Sequence, residues 1–173
     1  MPTTIMTPHH QETFEIVPFQ PTFQQEVEDL VLPIQQIEFG VKTCREDQPD
    51  LMDIAGTFQA GKGNFWVVRN GAQIVGTVGV VDIGNDQVAL KKMFVKKEFR
   101  GKETGIAASL MERAKSWCKE QGIRTIFLGS TPPMQAAHRF YEKNGFVAVT
   151  VEQLPPNFPV VPVDKKFYRC DLG

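Results

Sequence analysis

The sequence is short of the residues that build metal sites and disulfide frameworks. Its three cysteines, Cys44, Cys118 and Cys170, stand far apart, with no CxxC pair and no Cys/His spacing that would hold zinc, so no metal is expected. An odd count without a framework points to a reducing compartment, and the cytoplasm is the expected location. Neither sign of charge is in excess: 19 basic against 20 acidic residues leave a net charge of −1. Such a balance exerts no global pull toward nucleic acid or an anionic membrane, and neither is an expected partner. No apolar run approaches the length of a membrane span. The opening stretch MPTTIMTPHHQET has neither the basic start nor the apolar centre of a secretion signal. It reads as a flexible arm over residues 1–13, with His9 and His10 belonging to the arm, ahead of one domain over residues 14–173.

What is present is enough apolar material for a core: 42% of 173 residues, the proportion of an ordinary globular domain. TFEIVPF alternates and reads as a first strand. Phe23, Val27, Leu30, Val31 and Ile34 recur at helical spacing over Pro21 to Gln36, with Pro33 placed to kink or end that helix. GVKTCREDQPDL is polar and irregular, and DLMDIAGTF predicts a short helix with Asp50 as its N-cap. Two apolar runs flank Asn70-Gly71, a pair suited to the positive dihedrals of a tight hairpin. A second turn at GND leads into QVALKKMFV, giving an antiparallel meander. From Gly105 to Gly122 a helix is predicted, with Ile106, Leu110, Met111, Ala114 and Cys118 on its apolar face and Cys118 a buried free thiol. Then come a strand (RTIFLGS), a helix (MQAAHRFYEKNGF), a strand (FVAVTVE), a proline-rich loop (LPPNFPVVPVD) and a last strand (KKFYRCDL). The class is α+β, with a parallel strand pair formed by the strand–helix–strand step from Val88 to Ser130.

The informative stretch is KEFRGKETGIAASL, where a glycine-bracketed polar loop runs straight into a helix. The first amides of a helix have no internal partner, and its dipole adds positive potential there. Gly101 and Gly105 let the backbone approach a bulky ligand, and Arg100 and Lys102, with Lys96 and Lys97 nearby, add cationic charge, so a phosphate group is the natural ligand. The nucleotide-binding patterns GxxxxGK[ST] and GxGxxG are both absent.

Lys102-Glu103-Thr104-Gly105-Ile106-Ala107 resembles the acetyl-CoA pyrophosphate loop, (Gln/Arg)-x-x-Gly-x-(Gly/Ala), of the GCN5-related N-acetyltransferases. LKKMFVKKEFRG is similar to that family's strand into the loop, HRFYEKNGF to its second helix, and VDKKFYRCDL to a terminal strand found in part of it. The resemblance covers about residues 14 to 171. It implies a single domain with a mixed sheet, an antiparallel meander plus a splayed parallel pair, flanked by helices. Acetyl-CoA would lie in the splay between the strands around Met93 and Phe127, its pantetheine arm against Met93, Phe94 and Val95. Its pyrophosphate would meet the amides from Glu103 to Ala107, which include Thr104, Gly105 and Ile106, with Arg100, Gly101 and Lys102 at the loop entrance. The basic run from Lys91 to Lys102 is thereby explained by CoA phosphates, and Lys143 is either a further phosphate ligand or a solvated lysine. The chain departs from the pattern at Lys102, at Ala89, where many members place Glu, and at Met134, where many place Asn.

Acetyl transfer needs a proton removed from the amine and one delivered to the departing thiolate. Tyr141 stands at the family's position for the acid; the other reading is a core tyrosine with a satisfied hydroxyl. Tyr168 reads as strand packing, and His138 as structural or adjacent to CoA. No base is evident: Glu38 reads as an exposed helix-end charge, and Glu46, Asp47 and Asp50 as solvated. The resemblance implies an acceptor site shaped by residues 39–62 and 154–163, with Phe158 and its prolines as a stiff wall. The expected acceptor is a primary amine of a small molecule or peptide. A non-catalytic acyl-CoA-binding module that regulates a partner stays open, as does a homodimer.

Overall fold

The structure, a computed structural model, describes residues 3–6, 13–131 and 135–173. Met134, His9 and His10 lie outside the described residues. Strands β1 (Thr3–Met6), β2 (Thr13–Pro18), β3 (Asn64–Asn70), β4 (Gln73–Gly84), β5 (Gln87–Val95), β6 (Thr125–Ser130), β7 (Val147–Val149) and β8 (Lys166–Asp171) form one sheet among the described residues, in the order β1-β2-β3-β4-β5-β6-β8-β7. Only β5 and β6 pair parallel among these neighbours. Thr3–Met6, inside the stretch read from sequence as an arm, pairs antiparallel with β2. No helix among the described residues is long and apolar enough to cross a membrane.

Helices α1 (Gln24–Pro33), α2 (Pro49–Met52) and α3 (Ile54–Phe58) cover one face of the sheet; α4 (Ile106–Glu120) and α5 (Gln135–Lys143) cover the other. Strand alternation explains the two layers. On β3, Phe65 and Val67 pack with Val27, Val31, Ile54 and Phe58, while Trp66 and Val68 pack with Ile106, Leu110 and Met111. Cys118 is fully buried on α4 as a free thiol, and burial pushes it up to about 12.

Four local expectations are corrected. The helix predicted over Pro21 to Gln36 begins as a 3₁₀ turn, runs as α1 and widens into a π turn over Ile34–Glu38. Pro33 has no N–H to return to the preceding turn, and the ladder resumes with Phe39 donating to the Ile34 carbonyl at 3.1 Å. The helix predicted with Asp50 as cap is two helices; Pro49 opens the first, and Asp53 caps the second by accepting from the Gly56 amide at 3.0 Å. The strand predicted over residues 146–152 stops at Val149, because Thr150 and Gln153 form a reciprocal capping box over a 3₁₀ turn. Finally, the turn after Asn70 has positive φ at Gly71 only, whereas Asn85 (55°) and Asp86 (57°) both adopt it at the next hairpin. Asn and Asp tolerate that region better than other side chains.

Candidate active site

β5 and β6 pair only through Gln87↔Thr125, Val88↔Ile126 and Ala89↔Phe127. Beyond Ala89, β5 continues to Val95 against β4 while its other edge has no strand partner among the described residues. A bulge accompanies the divergence: the register against β4 shifts between Thr77 and Gly79, Lys92 sits at φ 55°, and the Thr77 hydroxyl donates to the Lys92 carbonyl at 2.7 Å. A bulge adds twist and re-aims side chains. Ala89 is fully buried, so the departure noted there places no polar group in the splay.

The open edge of β5 leads to the glycine loop. Gly105 is the N-cap of α4 at φ 65°, a left-handed conformation that glycine adopts without Cβ strain. Among the described residues no carbonyl accepts from the amides of Lys102, Glu103, Thr104, Ala107 or Ala108, while the Ser109 amide already bonds to Gly105 at 3.0 Å. The Thr104 hydroxyl donates to the Phe99 carbonyl at 2.8 Å, which fixes the loop from below. Ile106 is buried as the hydrophobic anchor of α4. Of the cations assigned to this loop, Arg100 is engaged: its Nε donates to the Val95 carbonyl at 2.7 Å, its guanidinium forks onto Glu38, and it lies across the Phe39 ring. Glu38 is therefore a partner of this loop rather than a free helix-end charge, and its hydrogen bond to Arg100 holds its carboxyl below the usual range. Lys143 is exposed in the last turn of α5.

Along the splay itself, against the diverging part of β5, is a cavity of about 530 Å³. Its walls come from residues 41–43 and 47–50, the β5 stretch Leu90 to Phe94, the end of β6, Tyr141, and residues 158–159 and 161–164. The two segments expected to shape an acceptor site thus meet across the splay. The first is fastened by a reciprocal amide pair: Gln48 donates to Gln35 at 2.8 Å and Gln35 to Gln48 at 3.1 Å, both side chains buried. Glu28, a buried residue of α1, holds Arg45 of the same segment and accepts from Gln24 at 2.6 Å.

The cavity is charged. Asp50, expected to be solvated, has a side chain 12% exposed and lies 2.5 Å from the Lys91 ammonium and 3.4 Å from that of Lys92. Burial opposes its ionisation, but Lys92 and Lys91 outweigh that and hold its carboxyl below the usual range. Lys92 also donates to Gln48 at 2.6 Å, yet burial pushes it down to about 8 against the pull of Asp50. Lys91 and Lys92 therefore belong to the cavity, not to a phosphate-binding run. Asp164 lines the same space and pairs with no cation among the described residues. Burial lifts it to about 6 despite Lys91 and Lys92.

Sequence reading missed Asp164 and Lys92. One signal was available for the first: Gly129 interrupts an otherwise apolar strand, which marks a close approach. A Cβ there would come within 2.6 Å of an Asp164 carboxylate oxygen. Tyr141 is 6% exposed, packed on Phe146 and Tyr168, and no described residue hydrogen-bonds its hydroxyl. Burial, then Asp164, pushes its phenol far up, so it keeps its proton. Tyr168 is buried in the sheet as expected, with its hydroxyl donating to Glu142 at 2.7 Å. His138 is hydrogen-bonded to the Ser130 hydroxyl at 3.0 Å, a structural pairing.

Residues 61–148 match the Acetyltransferase (GNAT) domain family. The structure is similar to that of an acetyltransferase of the GNAT family from Staphylococcus aureus Mu50, with 37% identity, a TM-score of 0.89, and coverage of 92% of this chain and 99% of that one. It shares its fold with the PaiA N-acetyltransferase from Thermoplasma acidophilum, solved in complex with coenzyme A, at 14% identity and a TM-score of 0.70 over 91% of this chain and 98% of that one. In sequence it is similar to the N-acetylaspartate synthetase of Danio rerio, 32% identical over 124 residues, which are 69% of this chain and 43% of that protein. The chain spans less than half the length of the first curated relatives it matches. The domain match and the full-length likeness to the staphylococcal protein agree with the splay and the glycine-capped helix: the chain belongs to the GNAT family of acetyltransferases.

Proposed function

We propose that the protein is an acetyl-CoA-dependent N-acetyltransferase that acts on a small primary amine by direct attack. The observation that carries this reading is what adjoins the open edge of β5. Unpartnered amides at the start of α4 follow the end of the strand, and the strand itself lines a cavity that also holds a protonated tyrosine and a free carboxylate. The amides of Lys102 to Thr104 and of Ala107 suit a pyrophosphate, with Gly101 and Gly105 keeping the approach clear; neither glycine has an atom within 4 Å of where a Cβ would stand. Met93, Phe94 and Val95 would flank the pantetheine arm. Arg100 and Lys143 stand as outer cations.

In the reaction, Asp164 accepts the proton from the acceptor ammonium, and the freed nitrogen forms its bond to the acetyl carbon. As the carbon–sulfur bond breaks, sulfur takes its electron pair and the Tyr141 hydroxyl supplies the proton. A hydroxyl fixed by packing and kept neutral by burial is preorganised for charge that develops only in the transition state. The test is thiol release from acetyl-CoA in the presence of a panel of primary amines. Acceptor-dependent release is expected. Binding of CoA with no acceptor-dependent release by any amine would instead assign the chain to a non-catalytic acyl-CoA-binding module.

Two further results follow from the loop. CoA binds the native state only, so a hundredfold excess over the dissociation constant should stabilise the protein by about 2.7 kcal/mol, visible as a rise in melting temperature. No shift at millimolar CoA would overturn the reading. Gly105→Val should lower CoA affinity at least tenfold, because a β-branched residue strains the left-handed cap by about 1–2 kcal/mol and faces the incoming phosphates. Circular dichroism checks that the variant is folded, and a folded variant with normal CoA affinity would remove Gly105 from the site.

A further inference from the structure

Three cations and three carboxylates line the cavity: the exposed Lys42 and Asp47, and the more enclosed Lys91, Lys92, Asp50 and Asp164, whose arrangement is uneven. At one end Lys91 and Lys92 share a single carboxylate, that of Asp50, which leaves one positive charge in excess. At the other, Asp164 makes no ion pair among the described residues, and Lys91 and Lys92 act on it only from across the space, so its negative charge is incompletely offset. Both ends line the same 530 Å³ space. Such a site is electrostatically polarised, with partly buried charge of each sign left undercompensated.

Resting on the N-acetyltransferase reading, we propose that the acceptor is a free amino acid, a compact zwitterion whose ammonium is held by Asp164 and whose carboxylate is held by Lys91 and Lys92. Such a ligand completes both ends at once. The Lys92 ammonium has three donors, of which Gln48 takes one and Asp50 lies at 3.4 Å, so a substrate carboxylate finds a donor already desolvated. Burial drives Lys92 down to about 8 and Asp164 up to about 6, each toward its neutral form, as expected for charges that await a counter-ion.

The alternatives fit worse. A polyamine would bring its second cation toward Lys91 and Lys92, against like charge. A peptide N-terminus carries its carboxylate far from its amine and would leave the lysine end unsatisfied. The wall made by Phe158, Pro159 and Pro162 lines one side of the cavity, and with the pantetheine end against Met93 and Phe94 the remaining space suits a small solute. A site built to pair a polar group discriminates strongly against an analogue lacking it, because its own buried groups are then left unpaired.

The test uses matched acceptors on the unmodified protein: each of a set of amino acids, its α-amide and its decarboxylated amine, with thiol release measured at fixed acetyl-CoA. Among acceptors that support release, the free acid is expected to exceed both analogues in kcat/KM by tenfold or more. In Lys92→Met that preference should fall to within about threefold, while the rise in melting temperature with CoA persists. An amide or amine equal to its parent acid would overturn the inference and leave the N-acetyltransferase reading standing. No acceptor-dependent release with any member of the set would overturn both. Full preference retained in a folded Lys92→Met protein would overturn the lysine assignment, and if that variant fails to fold, the matched set on the unmodified protein decides alone.

Discussion

Tyr141→Phe is expected to cut turnover by about a hundred- to ten-thousandfold, equivalent to roughly 3–5 kcal/mol of barrier, with little change in CoA affinity. The substitution keeps the ring, and with it the packing on Phe146 and Tyr168. It removes the proton that the departing sulfur needs. The bound thioester carries no negative charge, so the loss should appear in kcat rather than in binding. The effect on stability sets this tyrosine apart from an ordinary core residue. A core tyrosine with a bonded hydroxyl would lose about 1 kcal/mol. Here no described residue hydrogen-bonds the hydroxyl, so the melting temperature should hold steady or rise. Turnover, CoA affinity and melting temperature measured on one preparation check all three expectations, and near-normal turnover would exclude Tyr141 as the acid.

Asp164→Asn should also lose a hundred- to ten-thousandfold in turnover, yet gain stability. Its carboxyl is raised by burial from its ordinary value of 3.8 to about 6 in the folded chain. A raised carboxyl favours the protonated protein: its contribution to stability is fully present below the unfolded value near 4 and is lost as pH rises through about 6. At pH 7 the ionised group therefore weakens the fold, by at most about 3 kcal/mol at 1.36 kcal/mol per pKa unit. Asparagine removes that charge, and the variant should melt several degrees higher at pH 7, with the gap closing below about pH 4. The groups that face Asp164 are Lys91, Lys92 and Asp50, with Tyr141 beside them. For the unmodified protein, kcat/KM should rise with pH through about 6 as Asp164 ionises and fall above about 8 as Lys92 loses its proton. The rising limb should vanish in Asp164→Asn. A pH profile and thermal melts of both proteins at pH 4 and 7 decide the matter; a less stable variant at pH 7 would show that Asp164 serves the fold.

The architecture could be read from sequence where a local rule acts alone. The alternation of β3, the hairpin at Asn70-Gly71 and the apolar stripe of α4 each follow from side-chain period or turn chemistry. The glycine loop was legible because backbone freedom at Gly105 is encoded by one residue. The charged cavity was not, because its charges come from α2, β5 and the segment before β8 and acquire meaning only when the sheet brings them together. Asp50 and Lys92 are ordinary polar residues in a linear reading; their pairing spans the chain from residue 50 to residue 92. Asp164 sits in a proline-rich stretch that no periodicity describes. Glu38 is an exposed helix-end charge as read, but its pairing with Arg100 was not legible, because the π turn that carries it there arises from Pro33 and is not visible as a pattern.

The bare edge of β5 beyond Ala89 bears on self-association. Unpaired strand edges at the margin of a sheet recruit other chains and promote aggregation. This one lies in the interior of the sheet, with β4 bonded on one side and β6 diverging on the other. A second sheet cannot dock there without displacing β6, whereas a single slim chain with amide groups can lie along it. The protein thus keeps a row of backbone donors and acceptors available while denying it to its own copies, and its solubility should depend far more on the outer edges, β1 and β7, than on the opening at its centre.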